Sequence, residues 1–145
     1  MLKELFDKGY CSLHESFSNW EDAVRASVQP LIDAGAVKPA YADSIVRSVH
    51  EFGPYIVIAP DIALPHAADP DNVNETTVCF MKSNTPVVFD PEDSDKNARL
   101  FFVLASNNEE DHLKNLKRLM KVLCDEELIA KIAEATTLEE IEALL

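Results

Sequence analysis

The segment from Phe52 to Asp69 reads FGPYIVIAPDIALPHAAD and contains an apolar run that stops on a single histidine, His66. Tyr55–Ile58 and Ile62–Leu64 within it are rich in β-branched residues, which is typical of short buried strands. The pair Pro60-Asp61 between them favours a turn. A hairpin would therefore deliver His66 to one end of a β-sheet, where a large partner could reach its ring.

The immediate neighbours of His66 are consistent with an accessible ring. Pro65 lacks a backbone N–H, so it cannot continue a central strand ladder. Ala67 and Ala68 are too small to cover the imidazole. A single histidine after a strand is nevertheless more often a hydrogen-bonded structural residue, and spacing alone does not decide between these two interpretations.

A second histidine, His112, stands near the start of a predicted helix. Its offsets to Leu116, Leu119 and Leu123 place it on or beside the inward face of that helix. The amino end of a helix carries unpaired N–H groups and a positive dipole, which favour an anion and a neutral imidazole. His112 could then donate a hydrogen bond to a phosphoryl oxygen, the alternative being an exposed residue of the first turn.

Two kinds of site are not indicated by the sequence. There is no GxxxxGK[ST], no GxGxxG and no kinase signature, so no nucleotide site or cofactor is expected. The acidic run Asp90–Lys96 lacks the spacing of an EF-hand and is interpreted as a charged turn. A small metalloenzyme that uses His66, Asp69 and His112 is a further alternative, although that spacing matches no common zinc motif.

Composition limits the other possibilities. The 145 residues, 47% hydrophobic, suffice for one domain spanning residues 1–145. The formal charge of −13 argues against nucleic acid and anionic membranes as partners and would attract a basic protein. No apolar run is long enough for a membrane span and the amino terminus lacks a signal-peptide core, so we expect a cytoplasmic protein. The three cysteines do not form a CxxC motif, and we expect them to be reduced residues that pack in the protein.

The order of the predicted elements indicates an α/β domain, in which helices precede and follow a set of strands and cover both faces of a mixed β-sheet. One helix is expected to begin at a capping box formed by Ser18 and Glu21. The other main expectations are a helix from Pro39 to Gly53, strands at Cys11–Glu15, Thr76–Met81, Val87–Phe89 and Arg99–Ala105, and last-helix caps at Thr136 with Glu139 or at Thr137 with Glu140.

The wording FGPYIVIAP followed by IALPHA resembles the active-site segment of enzyme IIA components of the sugar phosphotransferase system, in the mannitol–fructose superfamily and closest to its ascorbate-type branch. The resemblance implies the fold of the mannitol–fructose superfamily, and it implies that His66 carries the phosphoryl group. It also implies a phosphoryl-stabilising role for His112, because ASNNEEDHL occupies the place where the family has a second histidine. The implied donor is the phosphocarrier HPr, and the implied acceptor is a cysteine of an enzyme IIB component, which serves a membrane enzyme IIC. The oligomeric state, including a homodimer, stays open.

This chain departs from the resembled family in its arginines. Ascorbate-type members often carry an arginine two residues after the active histidine, where this chain has Ala68. Mannitol-type members carry one in the preceding helix, at the position of Ser48. Charge stabilisation would then come from Arg47, from Arg99, from backbone donors or from the partner. His14 and His50 match no family motif.

A regulatory homologue of the nitrogen type is the alternative within the same resemblance. Such a protein would also be phosphorylated on His66 but would act by binding a kinase, a channel or a transcription factor. The sequence does not separate transport from regulation, and it does not identify the sugar.

Overall fold

A mixed five-stranded β-sheet runs through the middle of the protein in the computed structural model, which describes residues 1–145. The strands are β1 (Cys11–His14), β2 (Val57–Ala59), β3 (Asp61–Ala63), β4 (Thr77–Val88) and β5 (Asn97–Ala105). The helices are α1 (Leu2–Asp7), α2 (Trp20–Asp33), α3 (Pro39–Phe52), α4 (Glu109–Leu123), α5 (Glu126–Glu134) and α6 (Leu138–Glu142). Short 3-10 turns occupy Pro70–Asn72 and Ser94–Lys96.

The spatial order of the strands is β1-β4-β5-β3-β2. The pairs β1–β4 and β3–β5 are parallel, whereas β4–β5 and β2–β3 are antiparallel. Strands β4 and β5 form the centre of the sheet, and nearly all of β5 is buried because it has a neighbour on each edge and helices above and below.

Helices cover both faces of this sheet, as the sequence predicted. Successive side chains of a strand point to opposite faces. On one face the thiol of Cys79 lies 3.1 Å from the carbonyl oxygen of Ser27 in α2. On the other face Nζ of Lys82 donates to the carbonyl oxygen of Ala135, directly after α5, at 2.5 Å. The α/β fold class with a mixed sheet is therefore confirmed.

The hairpin that precedes His66 is present. Strands β2 and β3 pair in antiparallel register, and a single residue, Pro60, lies between them. Asp61 takes a left-handed φ of +76°, which Asp tolerates better than most residues. Its carboxylate accepts three hydrogen bonds from Arg99, at 2.6, 2.9 and 3.1 Å. This ion pair fixes the turn to β5.

Two local predictions are wrong. The cap of α2 is Asn19, whose side-chain oxygen accepts from the backbone N–H of Asp22 at 2.8 Å, so the chain turns into the helix one residue after Ser18. The two strands predicted at Thr76–Met81 and Val87–Phe89 are one strand, β4. Its pairing with β5 is interrupted between Lys82 and Val87. This stretch is polar and includes Pro86, so its sequence is typical of a loop.

Several other element predictions are confirmed. Helix α3 begins at Pro39 and ends at Phe52, before Gly53 with φ of +83°. Of the two proposed caps for the last helix, the one that forms uses Thr137, whose hydroxyl accepts from the backbone N–H of Glu140 at 3.2 Å.

The core of the sheet should be sensitive to loss of volume at Phe80, which is fully buried with its ring 4.9 Å from that of Phe102. Phe80→Ala should lower the free energy of unfolding by about 3–5 kcal/mol, because it removes an aromatic side chain and leaves a cavity. Urea denaturation followed by circular dichroism measures this. Leu113→Ala, on the surface of α4, is the control and should stay within about 0.5 kcal/mol of the parent. Equal losses in the two variants would contradict the described core.

Candidate active site

His66 lies just beyond the carboxyl end of β3, next to the carboxyl end of its parallel neighbour β5. Strand β3 ends at Ala63, and the chain continues through Leu64, whose backbone N–H donates to the carbonyl of Ile56 at 2.7 Å, to Pro65, which has no N–H to donate. The carbonyl of Pro65 nevertheless accepts from the backbone N–H of Leu104 at 3.0 Å, which holds the segment against β5. The predicted delivery of His66 to a sheet end is therefore what the structure shows.

The imidazole of His66 has a defined hydrogen-bond arrangement. Its Nδ1 lies 2.5 Å from the carbonyl oxygen of Leu64. A carbonyl oxygen can only accept, so Nδ1 carries the proton in this contact. In the neutral ring Nε2 then keeps its lone pair, which is the requirement for a nucleophilic nitrogen.

Two tyrosines fix the backbone on either side of this ring. The hydroxyl of Tyr55 donates to the carbonyl oxygen of His66 at 2.6 Å, and the two rings meet edge-on with centroids 5.3 Å apart. The hydroxyl of Tyr41 donates to the carbonyl of Leu104 at 2.6 Å and accepts from the N–H of Ala67 at 3.3 Å. Burial raises the pKa of Tyr41 to about 12, so its hydroxyl stays a donor at neutral pH.

The loop after His66 is tied to α3 through Asp69. The Asp69 carboxylate accepts from the hydroxyl of Ser44 at 2.5 Å and from the side-chain amide of Asn72 at 2.7 Å. These hydrogen bonds, first that of Ser44, lower the pKa of Asp69 from its ordinary value, so the carboxylate is charged at neutral pH. The guanidinium of Arg47 donates to the hydroxyl of Ser44 at 3.3 Å, and its positive charge also lowers the pKa of Asp69.

His66 and His112 line the same cleft, whose volume is about 430 Å³. His112 lies in the first turn of α4, whose cap Asn108 accepts from the backbone N–H of Asp111 at 2.8 Å. The cleft thus presents an amino helix end opposite the His66 loop. The remaining lining residues are Tyr41, Ala67, Ala68, Asp69, Pro70, Leu104, Ser106, Asn107, Asn108 and Glu109.

Asn107 holds the loop before α4 in place. Its side-chain amide donates to the carbonyls of Val73 and Asn74, each at 3.2 Å, and its backbone N–H donates to the hydroxyl of Thr76 at 3.0 Å. The position of His112 relative to His66 therefore depends on bonds between the two loops that border the cleft.

The other residues singled out from the sequence lie away from the reactive ring. Arg99 is held by Asp61 and by the carbonyl of Ala133, near the amino end of β5, whereas His66 is at the carboxyl end. The five residue-to-residue steps from Arg99 to Leu104 span roughly 16 Å of strand. Arg99 is thus not available as a phosphoryl-stabilising cation. The rings of His14 and His50 pack on Phe17 and Trp20, respectively.

Sequence reasoning did not identify Tyr41, Ser44 and Tyr55 as site residues. Tyr41 and Ser44 lie on α3, more than twenty residues before the groups that they bind. Within that helix Tyr41, Ser44 and Ser48 follow at intervals of three and four residues, which is a helical face. The only feature of the sequence that could have indicated these site residues is the presence of hydroxyl groups on an otherwise apolar helical face.

Comparison with known proteins identifies the family of this chain. Residues 4–145 match the family model described as phosphoenolpyruvate-dependent sugar phosphotransferase system, EIIA 2. The chain belongs to this family, whose members are phosphocarriers of that system. No helix in the structure combines the length and the apolar character required to cross a membrane.

Individual relatives give the same assignment. The ascorbate-specific EIIA component of Mycoplasma pneumoniae is 31% identical over 119 residues, which is 82% of this chain and 74% of that protein. The solution structure of the mannitol-specific cryptic phosphotransferase enzyme IIA of Escherichia coli superposes with a TM-score of 0.84 at 25% identity, covering 97% and 96% of the two chains. Enzyme IIA of mannitol from Escherichia coli, in a structure of its complex with phosphorylated enzyme IIB, gives a TM-score of 0.76 at 28% identity, covering 93% and 92%.

The hydroxyl of Tyr41 should be necessary for the stability of the site. Tyr41→Phe leaves the carbonyl of Leu104 and the N–H of Ala67 without their partner, which should lower the free energy of unfolding by about 1–3 kcal/mol. Tyr10→Phe is the matched control, because Tyr10 is also buried but its hydroxyl makes no hydrogen bond within the protein. Thermal unfolding of both variants measures the difference. A loss in the Tyr10 variant as large as in the Tyr41 variant would contradict this role.

Proposed function

We propose that the chain is a cytoplasmic phosphocarrier that acts as one domain spanning residues 1–145 and accepts a phosphoryl group from HPr on Nε2 of His66. The observation that carries this proposal is the hydrogen bond from Nδ1 of His66 to Leu64, which leaves Nε2 with its lone pair in a ring that lines the cleft. Membership of the EIIA 2 family supports the phosphocarrier role.

In the transfer, the lone pair of Nε2 attacks the phosphorus atom of the donor phosphohistidine. A new N–P bond forms on His66 while the N–P bond in HPr breaks and returns its electron pair to the donor imidazole. The chain's own contribution is positioning, because Leu64, Tyr55 and the Pro65 contact with β5 hold the ring in one orientation. No proton has to leave Nε2, so the site needs no general base.

His112 is proposed to hold phosphoryl oxygens during this transfer. It lies on the first turn of α4, and the backbone N–H groups of Glu109 and Glu110 have no partner within the protein. Unpaired N–H groups at a helix amino end and an imidazole N–H are donors suited to a phosphoryl group.

The acceptor is proposed to be a cysteine of an enzyme IIB component, which in turn serves a membrane enzyme IIC. The complex of a mannitol-type relative with phosphorylated enzyme IIB supports this partner class. The ascorbate-specific relative supports uptake of ascorbate or a related sugar. A thiolate of the acceptor would attack the phosphorus of phosphorylated His66, forming an S–P bond while the N–P bond breaks.

Phosphorylation of His66 is the direct test. Mixed with enzyme I, HPr and phosphoenolpyruvate, the parent protein should gain one acid-labile phosphoryl group, and His66→Ala should gain none. His50→Ala, whose ring packs on Trp20, is the control and should be labelled like the parent. Phosphorus NMR of the labelled protein should report substitution at Nε2. Labelling of the His66 variant to the level of the parent would overturn the assignment.

Removal of His112 should slow the transfer without preventing it. His112→Ala should fold and be phosphorylated roughly ten- to a hundredfold more slowly, because a hydrogen bond to a charged group is worth about 1.5–3 kcal/mol when it acts in the transition state. His112→Gln keeps a donor and should recover part of the rate. Rapid-quench kinetics with phosphorylated HPr measures the phosphorylation rate of the parent and of the two variants. Unchanged kinetics in the Ala variant would reduce His112 to a structural residue of the first turn.

A further inference from the structure

The amino end of α4, which carries His112, is not fixed by the hydrophobic core. The helix has a single fully buried residue, Leu119. It lies seven residues after His112, which is about 10 Å further along the helix axis. The three residues of α4 before His112 are all exposed. The position of the first turn relative to His66 must therefore be determined by other contacts.

The side chain of Asn107 supplies such contacts, although the residue is exposed. Its amide group donates to the carbonyls of Val73 and Asn74, each at 3.2 Å. Its Oδ1 accepts from the hydroxyl of Thr76 at 2.8 Å and from the side-chain amide of Asn108 at 3.1 Å. An exposed amide could be satisfied by water, so this set of bonds to one neighbouring loop restricts geometry more than it satisfies polar groups.

The contacts continue from Asn107 to His112 through the cap of the helix. Asn108 is that cap, and its side-chain oxygen accepts from the backbone N–H of Asp111 at 2.8 Å. The carbonyl of Asn108 accepts from the backbone N–H of His112 at 3.3 Å. A displacement of the segment before α4 would therefore displace His112 with it.

The loop between His66 and β4 is the fixed side of this connection. At its start the carboxylate of Asp69 accepts from the hydroxyl of Ser44 in α3 at 2.5 Å. Further along, the backbone N–H of Asn74 donates to the carbonyl of Ala36, between α2 and α3, at 2.8 Å. The loop is thus attached to the helices that also support His66, and α4 is attached to the loop.

We propose that Asn107 is a positioning residue of the phosphoryl transfer, which acts through His112 by setting its distance from the phosphoryl group on His66. This inference rests on the proposed function. Both side-chain N–H groups of Asn107 are directed at carbonyls, and its backbone N–H donates to Thr76 at 3.0 Å. Asn107 therefore has no donor left for a phosphoryl oxygen. A misplacement of 1 Å at a catalytic group can cost about a hundredfold in rate, so the position of His112 matters.

A double-mutant cycle between Asn107 and His112 tests this role. Asn107→Ala should lower the maximal rate of phosphorylation by phosphorylated HPr about tenfold in single-turnover experiments. The concentration of phosphorylated HPr that gives half of this rate should change less than about twofold, because the proposed role is not docking. In the His112→Ala background the same substitution should slow the transfer less than about twofold, since the group that it positions is already gone.

Thr76→Val provides a second and nearly isosteric variant. It removes the hydroxyl that bonds Asn107 but leaves the amide bonds to Val73 and Asn74 in place. The transfer should slow about threefold, and again only when His112 is present. This variant carries the same cycle if Asn107→Ala does not fold.

Asn84→Ala is the matched control for lost stability. Its side-chain amide also joins two segments, because it donates to the carboxylate of Glu15 at 3.0 Å and to the carbonyl of Thr136 at 3.1 Å. The seven steps of β4 from Thr77, next to the site, to Asn84 span roughly 23 Å. Asn84→Ala should lower the midpoint of thermal unfolding by about 5 °C, at least as much as Asn107→Ala, and should transfer at the rate of the parent.

A spectroscopic measurement follows His112 directly. Phosphorylation of His66 should shift the ¹⁵N resonances of the His112 ring in the parent protein. In Asn107→Ala this shift should fall to about half or less, whereas Asn84→Ala should retain it. A full shift in Asn107→Ala would contradict the positioning role.

The outcomes distinguish this inference from the proposed function. Failure of His66 to become phosphorylated in the parent would overturn the proposed function. If His66 is phosphorylated but Asn107→Ala transfers at the parent rate, or slows the transfer equally with and without His112, the positioning role is wrong. A change confined to the half-saturating concentration would assign Asn107 to docking instead. Equal slowing in Asn84→Ala would attribute the effect to stability and also overturn the inference.

Discussion

The hydrogen bond between Nδ1 of His66 and the carbonyl oxygen of Leu64 determines what this site can do. A neutral imidazole has one N–H and one lone pair, and occupation of the N–H by a carbonyl two residues earlier fixes the lone pair on Nε2. Leu64 lies directly after the end of β3 at Ala63, and its carbonyl accepts from the His66 ring. Pro65 has no backbone N–H to donate, although its carbonyl still accepts from the backbone N–H of Leu104 in β5. The end of a strand thus converts a buried apolar run into a site with one free nitrogen.

Helix α3 keeps this short segment in place. Tyr41 joins it to β5, Ser44 holds the charged Asp69 at its end, and Ser48 and Phe52 extend the same helical face beyond it. A loop supported at several points along a rigid helix retains its geometry when a phosphoryl group arrives, so little reorganisation is needed at the moment of transfer. Helix α4 approaches from the other side and contributes its amino end. The reactive ring is therefore supported by one helix and faced by the terminus of another.

The part of this arrangement that is local in sequence could be predicted. The β2–β3 hairpin, the limits of α3 and the position of His112 near a helix start follow from turn residues, capping residues and periodicity. The single strand β4 could not be recognised, because the stretch before Val87 is polar and contains Pro86, and only its neighbours β1 and β5 keep it extended. The contacts of Tyr41 and Ser44 also depend on tertiary structure, since their partners are distant in sequence. Arg99 was a candidate for phosphoryl binding because it is a cation, but its guanidinium is bound to the carboxylate of Asp61 in the β2–β3 turn.

The negative charge around His66 suits a carrier better than a storage site. Asp69 is held in its charged form by Ser44 and Asn72, and Glu109 lies at the rim of the same cleft. In the proposed cycle these carboxylates raise the free energy of the phosphorylated state through like-charge repulsion, which solvent weakens but does not remove, since Glu109 is exposed and Asp69 is partly buried. A carrier that bound its phosphoryl group too tightly would not pass it on. The repulsion therefore favours the forward transfer, while the donors at α4 keep the group in position until an acceptor docks.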